Sequence, residues 1–109
     1  MELFEERELK RKQLETAVEV LKEKGCELAE AERDYKVLLR QEVLKLRDQG
    51  VAIGVIDKIC YGIPNVAEAR LKRDIAKTKY EANQEYINTI KLQIRIIESQ
   101  LEREWSIEK

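Results

Sequence analysis

From Val66 to Leu101, the residues Val66, Ala69, Arg73, Ala76, Tyr80, Asn83, Ile87, Ile90, Ile94, Ile97 and Leu101 follow one another at alternating intervals of three and four. A strand would place its apolar residues at every second position, whereas this alternation keeps one mostly apolar stripe on a single helix face turned toward a partner helix. A weaker form runs upstream: Leu14, Leu21, Leu28 and Tyr35 recur at intervals of seven, with Ala17, Ala31 and Leu38 between them. Lys24 takes a seam position there and Gly25 sits beside it. After Tyr35 the apolar set moves to Leu39, Val43 and Leu46, a change of phase of the kind that locally unwinds a supercoil.

Between the two patterns lies an apolar island with three of the four glycines and the only proline. Gly50 can take the left-handed residue that ends a helix, with Val51 placed to cover Leu46, so the first helix is expected to stop near Gln49. Asn65 and Glu68 have capping-box spacing and Pro64 cannot continue a preceding helix, which puts the second start at about Val66. The intervening "VAIGVIDKICYG" is long enough for a short helix, with Val51, Val55 and Ile59 on one side and Ile56, Cys60 and Ile63 offset from it; Gly62 is its expected cap.

The expected fold is therefore all-α: a single antiparallel two-helix hairpin, coiled-coil-like, over residues 1–109. Its first helix covers about 2–49, its corner with the short helix 50–65, and its second helix about 66–106. Folded back, Leu14 and Leu21 come level with the Ile94 to Leu101 region, Leu28 with Ile87, and Tyr35 with Tyr80. Two helices bury only one stripe each, a small core for such a chain. The isoleucine-rich end of the second helix, with Ile87, Ile90, Ile94, Ile97 and Leu101 and with Ile96 beside them, is broader than one seam needs, so self-association is expected. The simplest product is a dimer of hairpins forming a four-helix bundle. Val51, Ile53, Val55, Ile56 and Ile59 are expected to plug the closed end, or, if left exposed as a patch, to dock a partner.

Composition removes several functions. Lys and Arg number 21 against 22 Asp and Glu, a formal charge of -1, so no global field draws nucleic acid or anionic lipid. The start, "MELFEERELKRKQLE", lacks an apolar signal core, and no segment approaches the roughly 18 apolar residues of a membrane span. A cytoplasmic protein with no membrane association is the expectation. Cys26 and Cys60 match neither a zinc spacing nor a redox pair and read as reduced packing residues. With no histidine, the usual general base and the common nucleophile pairings are missing, and no cofactor is implied. The remaining catalytic vocabulary is a carboxylate metal site like those of all-α nucleotide pyrophosphohydrolases, for which Glu27, Glu30 and Asp34 facing Glu81 and Glu85 are the candidates. Their spacing lacks that family's paired-glutamate motif, and such coincidences are common on long acidic helices. A non-enzymatic protein is expected.

The candidate for a charged ligand is the cluster Arg70, Lys72, Arg73, Lys77 and Lys79, which stands against only Glu68 and Asp74 between Val66 and Lys79. Such a patch can meet phosphates of nucleic acid. Nearby aromatics are limited to Tyr61 and Tyr80, too few for a stacking platform, and the competing reading pairs these cations with Asp48, Glu42 and Asp34 of the first helix. A helix-turn-helix reading of the corner founders on a second helix whose only charges are Asp57 and Lys58. Lys24 and Asn83 are expected to set register. Trp105, with Ile107, is either a terminal cap or an anchor for another protein.

The stretch Leu28 to Glu102, with "AERDYK" and "LLR" in the first helix, "LRDQG" at the corner and "RDIAKTKY" in the return helix, resembles small helical proteins encoded by bacteriophages and prophages of Gram-positive bacteria. The resemblance covers about two thirds of the chain, rests on helix and turn residues, and leaves Met1 to Cys26 outside it. It implies a phage accessory factor, of a kind often encoded beside recombination or replication genes, that binds a host or phage protein. It brings no catalytic residues.

Overall fold

The computed structural model describes residues 2–108. Its elements run in the order α1 (Leu3–Asp48), α2 (Ile53–Ile59), a 3-10 turn (Cys60–Gly62) and α3 (Pro64–Glu108). No strand occurs among the described residues, and two long helices of 46 and 45 residues fit a hairpin. The chain divides into two compact units, Met1–Glu23 with Tyr80–Lys109 and Lys24–Lys79.

All eleven seam positions from Val66 to Leu101 are buried or partly covered, and of the residues between them only Gln93 and Glu98 share that protection. In the first unit the seam closes on Ala17, buried together with Ile87 and Ile90, with Leu14, Leu21 and Ile94 packed around them. Burying each large side chain of this set contributes roughly 1.5 to 3 kcal/mol. Asn83 Nδ2 donates to the Ala17 carbonyl at 3.0 Å, and Arg11 pairs with Glu98 at 3.2 Å, an antiparallel order. Leu14 and Leu21 thus pack around Ile87 and Ile90, with Ile94, the near edge of the expected Ile94 to Leu101 region, beside them. Toward the start of α1 several polar residues are partly covered, among them Arg7 and Lys10, and the Arg7 guanidinium lies 5.0 Å from the Phe4 ring.

The second unit holds the corner. Gly50, at φ 82°, sends its N–H to Arg47 O and the next N–H, of Val51, reaches Leu46 O. These are the two bonds of a Schellman stop, which satisfy carbonyls that a helix end leaves open. Two other caps differ from expectation. Gly62 does not take the left-handed conformation, because the end of α2 tightens into the 3-10 turn instead. Asn65 lies inside α3, which begins at Pro64: the extended Ile63 accepts the first helical bond, from Ala67 N–H, and the proline occupies the first helical position, where its missing N–H costs nothing.

The stretch of α1 after Tyr35, where the phase changes, lies beside the start of α3. Leu38 and Asn65 line the same groove, and α1 continues for ten residues, about 15 Å, beyond Leu38. Over that overhang α2 and the 3-10 turn bring the chain back, burying Ile56 and Cys60, while Leu39, Val43 and Leu46 of α1 are partly covered. The same overhang shifts the pairing, so that Tyr35 meets Arg73, where Tyr80 had been expected.

Most of the expected plug is outside. Ile56 is buried and Val51 partly covered, but Ile53, Val55 and Ile59 are 67%, 48% and 44% exposed. The residues that close this end are Ile56 of α2, Cys60 of the 3-10 turn and Val66 of α3. Both cysteines are free thiols, and Cys26 is exposed, so only Cys60 serves packing.

A Cβ at Gly50 would meet nothing within 4 Å, which leaves the left-handed backbone as the only objection to a side chain. Gly50→Ala is therefore expected to lower stability by about 1–2 kcal/mol in chemical denaturation. Gly50→Asn should cost visibly less, since asparagine tolerates this conformation; equal losses would point to some other role for the glycine.

Candidate interaction surfaces

The face expected to mediate self-association is already occupied. Ile87, Ile90 and Ile97 are 5%, 1% and 5% exposed, and Ile94 and Leu101 are partly covered. Their spacing fits one seam, and α1 fills it with Leu14, Ala17 and Leu21. What the seam leaves over lies elsewhere on α3: Tyr86, Leu92 and Ile96 are 50–53% exposed. Tyr86 and Leu92 were not singled out from sequence, though a second three-and-four spacing through Ala82, Tyr86, Thr89, Leu92, Ile96 and Ser99 marks this face. Trp105 is also exposed.

In the second unit the exposed apolar residues gather on α2 and its surroundings. Ile53, Val55, Ile59 and Tyr61 project at the corner, and Leu71 and Ile75 do so from α3. Monomeric proteins scatter single apolar residues over their surface, but a seven-residue helix that exposes three aliphatic side chains is a concentrated patch.

The five cations of the basic cluster divide into two groups. Arg73 turns into the seam: its guanidinium stands 4.7 Å from the Tyr35 ring and bonds Asp74 at 2.9 Å. Arg70 covers Tyr61 at 5.4 Å. Cation–π contacts of this kind stabilise by about 0.5–1 kcal/mol at exposed sites. Lys72, Lys77 and Lys79 are exposed and form no ion pair among the described residues. The expected pairing with Asp48, Glu42 and Asp34 does not occur. Glu42 is held by Lys45 and Asp34 by Arg33, neighbours on their own helix that reach them at no cost in loop or helix placement. Phosphate contacts would therefore fall to the three lysines rather than to all five residues.

Glu27, Glu30 and Asp34 line a groove of about 550 Å³ with Ala31, Leu38, Asn65, Glu68, Ala69 and Lys72. The seam beside it is small, with Ala69 on α3 where the first unit has isoleucines, and Ala31 on α1 two heptads after Ala17. Lys72 shares the groove with the three α1 carboxylates. Glu81 and Glu85, the other expected metal ligands, belong to the first unit. Among the described residues no group of three His, Cys, Asp or Glu side chains is placed to hold a metal ion.

The two polar seam residues have different partners. Lys24 is satisfied by Glu27 on its own helix at 3.4 Å, while Asn83 reaches across to a backbone carbonyl of α1. Asn83→Ala is expected to destabilise the fold by about 1 kcal/mol through the lost hydrogen bond. Asn83→Leu should raise the denaturation midpoint while weakening register control, because an apolar residue suits the seam better in energy and worse in specificity. Equilibrium denaturation of the two variants at one protein concentration checks both signs. In comparisons with known proteins, no family model, curated protein or solved structure matches this chain.

Proposed function

We propose that this protein is a non-enzymatic helical interaction factor that self-associates and acts by binding another protein. The observation that carries the reading is the exposed apolar corner of the second unit, where Ile53, Val55, Ile59 and Tyr61 stand 44–67% out of the fold. A stable helical protein gains by covering such residues, and leaving them out is the common mark of a binding surface. The absence of histidine and of a three-ligand group among the described residues favours binding over catalysis. No helix of the described residues is long and apolar enough to cross a membrane.

The resemblance of Leu28 to Glu102 to phage and prophage proteins makes a host or phage protein the natural partner, and the host cytoplasm the place of action. Two copies joined through exposed helix faces would give the four-helix assembly expected from sequence. Because Ile87, Ile90 and Ile97 are covered within the chain, other residues must supply that contact. A second reading, as a nucleic-acid accessory of phage recombination or replication, is favoured by one observation: Lys72, Lys77 and Lys79 are exposed and outside any ion pair among the described residues.

Two measurements separate these readings. A double variant, Ile53→Asp with Ile59→Asp, should keep its helicity, since both side chains are largely exposed, yet lose the proteins that the wild type retains from infected or lysogenic cells. Retention of the same proteins by the variant would remove the corner from the function. Titration with labelled single- and double-stranded DNA at about 50 mM and about 200 mM salt addresses the lysines, whose phosphate contacts would weaken steeply with salt. We expect no binding at the lower salt; tight binding there, lost at the higher, would establish the second reading.

A further inference from the structure

In the first unit, the exposed side of α3 between Ala82 and Ser99 differs from the rest of the surface. Ala82, Tyr86, Thr89, Leu92, Ile96 and Ser99 lie together on it, turned away from the seam, and Glu85 is its only charge. The side next to it is dense in charge, with Glu81, Lys91, Arg95, Glu98 and Glu102. Thr89 adds to its apolar character, since its hydroxyl already donates to the Glu85 carbonyl at 3.0 Å.

We propose that this face pairs with the same face of a second copy, the two α3 helices running antiparallel about a two-fold axis at Thr89. This rests on the self-association reading above and names its surface and direction. The occupant follows from complementarity within the face itself. With the axis at Thr89, Leu92 lies level with Tyr86 of the second copy, and the large Ile96 lies level with the small Ala82. Glu85 comes level with the amide of Gln93. On the rim, Glu81 falls within two residues, about 3 Å along the axis, of the level of Arg95 of the second copy, and the symmetry repeats every contact. A parallel pairing would instead set Glu81 against Glu81 and Arg95 against Arg95, and leave two alanines facing each other across a gap. Charge and size both choose the antiparallel arrangement. The stretch from Ala82 to Ser99 spans about 27 Å of helix, a contact at the small end of specific interfaces, so dissociation in the micromolar range is expected.

The test uses the full chain with Cys26→Ser and the buried Cys60 retained, light scattering over a concentration series, and a short bismaleimide. Thr89→Cys should link to itself. Ala82→Cys and Ile96→Cys should each fail to link alone but link to one another when the two variants are mixed. Leu92→Lys should weaken dimerisation by on the order of tenfold or more without changing helicity. A dimer in which Ala82→Cys links to itself, in which Thr89→Cys does not link, or which Leu92→Lys leaves intact overturns the proposed pairing and leaves self-association standing. A protein that stays monomeric throughout the concentration series overturns both.

Discussion

The packing of Ala17 against Ile87 and Ile90 is the contact on which the first unit depends. A small residue on α1 lets two β-branched side chains of α3 approach its backbone, and the close approach is what brings Asn83 within hydrogen-bonding reach of the Ala17 carbonyl. Burial supplies the stabilisation, and the amide supplies the register. Charge does little of this work. Of the ion pairs among the described residues, only Arg11 with Glu98 joins the two long helices, and both partners are nearly half exposed. The others connect residues at most four apart on one helix, where each is worth a few tenths of a kcal/mol.

The second unit reaches stability by other means. On α3 its seam carries Ala69 and Ala76 where the first unit has isoleucines, and Tyr35 with Arg73 fills part of the space that larger aliphatic residues would occupy. A groove stays open along the small residues. At the corner, burial passes to Ile56, Cys60 and Val66. A helix of seven residues has only one inward side, and the remaining aliphatic residues of α2 are left outside. The exposed corner is thus a direct consequence of returning a chain over an overhang with a short, mostly apolar helix.

Much of this was legible in advance at the level of single helices. The seam from Val66 to Leu101 is read from spacing because helix periodicity is local, and the stop at Gly50 is read from one residue because only glycine takes that backbone freely. The start at Pro64 was legible only in part: Asn65 and Pro64 carry competing signals, and the fixed dihedral of proline prevailed. Pairing was less legible. A hairpin can slide by a whole heptad and still set apolar residues against apolar residues, and the shift is decided by where α2 lies, which no pattern in α1 or α3 records. The candidate sites suffered most, since exposure depends on partners: Ile87 and Ile90 look available until α1 covers them, and Arg73 looks like a phosphate ligand until it lies over Tyr35.

The residues themselves determined the helices, the seam, the reversal after Asp48, and the lack of histidine chemistry, because each of these follows from spacing, backbone freedom or composition alone. Tertiary structure decided which isoleucines are spent within the chain, which side of α2 faces outward, and which cations are held by aromatic rings. Those outcomes rest on contacts between residues far apart in sequence, and a contact fixes exposure only once both partners are in place.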